Sequence, residues 1–123
     1  MFYELEIEVE SPLEGMFLAD CVTIGLVVVP QYKLGRYRLD FAIPERRIAI
    51  EIDGKKWHGE DRKKYDDARD DFLAEDGWVT IRIAGDVVYH EGENIAAEIK
   101  EEINSEEFLE NRRTIRTIYR QYA

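Results

Sequence analysis

The stretch from Arg36 to Asp53 constrains the fold of this chain more than any other, because it alternates twice with a turn between. Residues 36–43 set Tyr37, Leu39, Phe41 and Ile43 against Arg36, Arg38, Asp40 and Ala42. Residues 48–53 set Ile48, Ile50 and Ile52 against Ala49, Glu51 and Asp53. A period of two is the signature of a strand with one buried face. Pro44-Glu45-Arg46-Arg47 reads as the turn of a hairpin. Opposed residues of a hairpin share a face, so the two apolar stripes must coincide. A two- or four-residue loop satisfies this by pairing Ile43 with Ile48 and, further out, Asp40 with Glu51. Opposed side chains in such a pair have Cβ atoms about 4.5–5.5 Å apart, and two carboxylates at that distance repel. A fold keeps them together most simply with a cation between them, usually Mg²⁺ or another hard divalent ion.

The rest of the composition sets limits on this reading. A length of 123 residues implies one domain spanning 1–123, large enough for a real core. No apolar stretch approaches the roughly 18 residues of a membrane span. Met-Phe-Tyr-Glu-Leu-Glu at the start has neither the basic residues nor the apolar block of a secretory signal. Cys21 is the lone cysteine, which rules out an internal disulfide, and its apolar helical surroundings point to burial. The expectation is an intracellular, cytoplasmic protein of bacterial, archaeal or phage type. A net charge of −10 runs against nucleic-acid binding. The charge is unevenly spread, however: residues 31–47 carry Lys33, Arg36, Arg38, Arg46 and Arg47 against Asp40 and Glu45.

The periodicities predict the element order β-α-β-β-β-α-β-α-α, an α/β domain built on a mixed sheet. Residues 2–9 alternate as a strand. Ser11-Pro12-Leu13-Glu14 reads as a capped helix start, with a helix to about Val22 burying Leu13, Phe17, Leu18 and Cys21. Ile24 to Val29 is a short apolar strand ended by Pro30. Residues 60–76 form a helix with Gly77 just past its end, and Trp78 to Ala84 a further strand. Ile95, Ala96, Ile99 and Ile103 mark another helix. A last one is capped by Ser105 and carries Phe108, Ile115, Tyr119 and Tyr122 on one stripe, a candidate homodimer seam.

So placed, the residues from about Ser11 to Ala84 resemble the PD-(D/E)XK nuclease superfamily. They are most similar to the branch that holds the very-short-patch mismatch-repair endonuclease and related small bacterial and phage domains. The resemblance rests on Glu14, Gln31, Asp40 within Arg-Leu-Asp-Phe, Ile50-Glu51-Ile52-Asp53-Gly54, Trp57-His58, Asp66, Arg69, Leu73 and Gly77-Trp78. It implies a restriction-endonuclease-like core (about 11–84) with a mixed four-stranded sheet flanked by helices. To that core are added an N-terminal strand and a C-terminal helical extension (about 93–122). The implied activity is metal-dependent endonucleolytic hydrolysis of DNA phosphodiester bonds. Asp40, Glu51 and Glu14 would be ligands of Mg²⁺ or Mn²⁺, with the main chain at Ile52 beside them and His58 as general base or water-orienting group. Gln31, Lys33, Arg36, Arg38, Lys55 and Lys56 are the candidate nucleic-acid contacts.

The chain departs from the superfamily pattern at Asp53, which stands where a lysine usually follows Glu-x. Lys55, Lys56 or His58 would then supply the cation, or Asp53 would ligate a second metal. Only Cys21, His58 and His90 remain as zinc ligands, so no structural zinc is expected. Plain structural roles compete for several residues. Glu14 is explained by a capping box, Asp53-Gly54 by a strand-ending turn, and Arg69 by pairing with Asp66. The missing lysine and the acidic surface also support a different function: a non-catalytic nuclease-fold module within a DNA-processing complex.

Overall fold

The computed structural model describes residues 11–53, 60–105 and 115–118. Ser11 opens the first helix, α1 (Pro12–Ile24), with an extended backbone and an Oγ that accepts the Glu14 amide at 3.2 Å. Pro12 fills the first turn, where no amide donor is needed. Gly25, at φ +83°, ends the helix by returning its amide to the Cys21 and Val22 carbonyls. Strands β1 (Val29–Leu34), β2 (Tyr37–Ile43) and β3 (Ile48–Asp53) form an antiparallel meander. Helix α2 (Glu60–Glu75) crosses to β4 (Val79–Ala84), which runs parallel to β3. Helix α3 (Gly85–Ile103) precedes β5 (Ile115–Ile118), which runs parallel to β4. The sheet order is β1-β2-β3-β4-β5, the mixed α/β architecture that the sequence predicts.

Three elements differ from expectation. Pro30 lies inside β1 instead of ending a strand at 24–29, and α1 continues through Ile24. An outer strand tolerates a residue with no amide donor, and β1 is at the edge of the sheet. Helix α3 begins at Gly85, well before Ile95, and is kinked at Glu91 (φ −138°); the two glycines and Val87-Val88 obscure its helical period. Finally, Ile115–Ile118 is a strand, not part of a helix, and adds a fifth strand, among the described residues, to the expected four-stranded core. The β-branched residues Ile115, Thr117 and Ile118 suit a pleated strand, and pairing closes the otherwise open edge of β4. A helical dimer seam through Ile115 is thereby removed. The predicted strand at 2–9, and Phe108, Tyr119 and Tyr122, lie outside the described residues.

The hairpin register follows the sequence argument. Ile43 pairs with Ile48 across a four-residue turn, then Ala42 with Ala49 and Phe41 with Ile50. The faces do not follow it along the whole of β2. Phe41 and Ile43 pack with Phe17, Leu18 and Cys21 of α1 and with Val87, Ile95 and Ile99 of α3. Leu39 belongs to the opposite cluster with Ala42, Ala49, Leu73 and Trp78, under α2. Tyr37 stacks on the same side, against Tyr65 and Phe72 at ring distances of 5.7 and 5.3 Å. The single stripe Tyr37-Leu39-Phe41-Ile43 is therefore split, and β2 changes face at Asp40. The neighbouring strand is distorted at the same level. The β1–β2 pairs run Pro30 with Phe41 and Tyr32 with Leu39, skipping Gln31 opposite Asp40. Gln31 is left-handed at φ +51°, uncommon for a residue other than glycine and characteristic of functional sites.

This change of face predicts a pattern of couplings. Leu39→Ala and Leu73→Ala each destabilise by about 2–5 kcal/mol. In denaturant unfolding the pair should be non-additive by about 0.5–3 kcal/mol, while Leu39→Ala with Phe17→Ala should add within about 0.5 kcal/mol. The reverse pattern would put Leu39 back on the α1/α3 face.

Candidate active site

Asp40 and Glu51 are next in register after the Phe41–Ile50 pair, and at that level side chains take over from the ladder. The Asp40 amide donates to Glu51 Oε2 at 2.9 Å, and the Ile52 amide donates to Asp40 Oδ2 at 2.9 Å. Each strand thus offers a carboxylate to the main chain of the other, and β2 and β3 are tied together just where their backbone pairing ends. Residues on a strand direct their amide and carbonyl to the same side. The Ile52 carbonyl accordingly faces the Asp40 side of β3.

Two more groups complete the cluster. Glu14 on α1 is only 6% exposed, and its Oε1 accepts Gln31 Nε2 at 2.8 Å. The left-handed turn at Gln31 places that amide against α1. Gln31, read from sequence as a nucleic-acid contact, is here a partner of Glu14. Ser11 caps the Glu14 amide, while the Glu14 carboxylate lies close enough to Asp40 and Glu51 to push both up. From the other side, Arg69 on α2 reaches Glu51 Oε1 at 2.8 Å, with both side chains buried. Its approach to Asp66 is longer, 3.5 Å, so the pairing expected from helix spacing is secondary to the one with Glu51.

Burial and like charge dominate the electrostatics. Asp40 is pushed up to about 8, first by burial, then by Glu51 and Glu14, with the Ile52 amide and Arg69 opposing. Glu51 is also raised by burial, but Arg69, the Asp40 amide and Arg82 hold it down. The Arg69 guanidinium favours the charged form of Glu51, while burial and the neighbouring acids favour the neutral form of Asp40.

Sequence reasoning missed the neighbouring pair. Arg82 in β4 is the register partner of Glu51, and both carboxylate oxygens of buried Asp70 accept from it at 2.8 Å. The available signal was an arginine inside the otherwise apolar Val79-Thr80-Ile81-Arg82-Ile83 strand. Other candidates separate from the cluster. Asp53 is exposed at the end of β3, in register with Ala84, and its side chain makes no hydrogen bond or ion pair among the described residues. Lys33, Arg36 and Arg38 are exposed on the β1–β2 hairpin, with Lys33 and Arg38 in register. His58, Lys55 and Lys56 lie outside the described residues. Cys21 is fully buried, which pushes its thiol up to about 12 and leaves it inert.

Among the described residues, no three Asp, Glu, His or Cys side chains converge closely enough to cage a metal. The donors that are present fit a different mode. Mg²⁺ usually takes one or two carboxylates and keeps several waters. Asp40, with one oxygen engaged by Ile52, and the adjacent Ile52 carbonyl offer hard oxygen donors of that kind.

The sequence profile of a restriction endonuclease-like family, REase_MTES_1575, matches residues 16–103, well over half of the chain. The chain belongs to this family. Its structure is similar to the catalytic domain of the homing endonuclease I-Bth0305I, with a TM-score of 0.61 at 15% identity over 75% of this chain and 93% of that one. At that identity the likeness is one of fold. No curated protein matches the chain significantly. No described helix is long and apolar enough to cross a membrane.

A raised carboxyl has a definite pH signature. Between its unfolded value of 3.8 and about 8, the folded chain holds a proton that the unfolded chain has lost, so stability falls as pH rises through that window. Asp40→Asn keeps an acceptor for Ile52 and removes the charge. In metal-free buffer its melting temperature should exceed that of the wild type by at least about 4 °C at pH 8. The two should converge near pH 4; an equal difference at both values would contradict the assignment.

Proposed function

We propose that this chain is a metal-dependent endonuclease that hydrolyses DNA phosphodiester bonds at the parted ends of β2 and β3. One observation carries the reading: Asp40, a half-buried carboxylate beside Glu51 and Glu14 and raised to about 8, lies where backbone pairing stops in a restriction endonuclease-like fold. Mg²⁺ or Mn²⁺ bound there would neutralise a scissile phosphate and lower the pKa of an attacking water. Asp40 and the Ile52 carbonyl are the groups to hold it, with Glu14 alongside. Glu51 fixes the Asp40 main chain and draws its own charge balance from Arg69. Exposed Lys33, Arg36 and Arg38 on the neighbouring hairpin give a local basic surface for the phosphate backbone despite the net charge of −10. His58 is the candidate for orienting water, and Asp53 for a more distant, solvent-exposed role.

Incubation with supercoiled plasmid, single-stranded and branched DNA tests the reading. Cleavage should require Mg²⁺ or Mn²⁺ and fall by about a thousandfold in Asp40→Ala. Absence of any cleavage dependent on both metal and Asp40 would remove the enzyme reading. The non-catalytic module would then remain, consistent with the engagement of both Glu51 oxygens by protein donors.

A further inference from the structure

A layer of charged side chains lies beneath α2, against the acidic cluster. Arg69 is 5% exposed, and its Nη1 holds Glu51 Oε1 at 2.8 Å. Tyr65 lies 6.0 Å from its guanidinium, and its Nε is buried with no hydrogen-bond partner among the described residues. A guanidinium that leaves one donor unmet is not placed for its own hydrogen bonding. Its position matches what Glu51 requires. The second Glu51 oxygen is the acceptor for the Asp40 amide, and Asp40 in turn accepts the Ile52 amide.

These contacts form one directed series: Arg69 to Glu51, Glu51 to the main chain of Asp40, and the Asp40 carboxylate to the main chain of Ile52. They replace ladder bonds where β2 and β3 separate and β2 changes face. Among the described residues, Arg82, the register neighbour of Glu51, gives its guanidinium to Asp70 and acts on Glu51 only through its charge, while Arg69 is the cation hydrogen-bonded to Glu51.

We propose that Arg69 is the positioning residue of the site: through Glu51 it sets the main chain of Asp40, and so the placement of the Asp40 carboxylate against the Ile52 main chain. This rests on the nuclease reading above. Arg69 lies beneath α2 and acts on the reaction only through Glu51.

The test is amide hydrogen exchange in the metal-free full chain, read by nuclear magnetic resonance, together with steady-state cleavage. In Arg69→Met, exchange at Asp40 and Ile52 should accelerate by about tenfold or more, while Ile43 and Ile48 at the other end of the hairpin stay within about twofold. The kcat should fall by at least about thirtyfold with KM for DNA within about threefold, and Arg69→Lys should recover most of it. Unchanged exchange at Asp40, or uniform acceleration along the hairpin, overturns the proposal. If Arg69→Met alone leaves Glu51 too costly to bury and does not fold, the same substitution is made in a Glu51→Gln background. There it should add nothing to the exchange at Asp40 already seen in Glu51→Gln, and a further acceleration overturns the proposal. The exchange readout does not depend on activity. A wild type that cleaves nothing defeats the nuclease reading, whereas a cleaving wild type with unchanged Asp40 exchange in Arg69→Met defeats this inference alone.

Discussion

The structure turns on one unfavourable interaction: two carboxylates, Asp40 and Glu51, adjacent in register on neighbouring strands, with Glu51 buried and Asp40 half-buried. Left alone, this pair would open the hairpin. Three features hold it in place. Each carboxylate accepts a main-chain amide from the opposite strand, Arg69 neutralises one of them, and the other is pushed well above the usual carboxylate range, which favours its neutral form. Glu14 adds a third acid from α1, and its charge together with that of Glu51 pushes Asp40 up. That concentration of like charge is the chemical property on which the proposed metal site depends.

The two faces of the sheet divide the work. The α1/α3 face is apolar, built from Phe17, Phe41, Ile50, Ile81, Ile83, Ile95 and Ile99, and anchors the strands. The α2 face has a small apolar patch around Leu39, Leu73 and Trp78 and then a charged layer of Glu51, Arg69, Asp70 and Arg82. Asp40 lies where β2 passes from one face to the other, with the left-handed Gln31 opposite. The acids of the site therefore come from α1, β2 and β3, while the cations come from α2 and β4. Buried ion pairs of this kind add little net stability against apolar replacements; their value here is in fixing geometry.

Much of this was legible in the sequence. The strict alternation of Ile48 to Asp53 and the length of the Pro44–Arg47 turn settled the register, and with it the Asp40–Glu51 pairing. Ser11, Pro12 and Gly77 marked helix ends through local chemistry that tertiary packing does not override. The change of face at Asp40 was hidden, because Tyr37, Leu39, Phe41 and Ile43 alternate perfectly and apolar residues satisfy either side of a sheet covered on both. Arg69 was legible only in part for a similar reason. Helix spacing offers Asp66 as a partner, but the stronger bond is to a carboxylate 18 positions away in sequence. Ile115–Ile118 was read as helix because apolar residues near the end of the chain fit a helical stripe, whereas the open edge of β4 favours a strand.

The central claim is that the parted ends of β2 and β3 bind a divalent cation at Asp40. Anomalous diffraction from crystals soaked in Mn²⁺ tests it most directly. The account predicts a manganese peak within coordination distance of an Asp40 carboxylate oxygen and the Ile52 carbonyl, about 2.0–2.3 Å, with water completing the shell, and no peak there in Asp40→Ala. A manganese peak elsewhere, or none at saturating Mn²⁺, would contradict it.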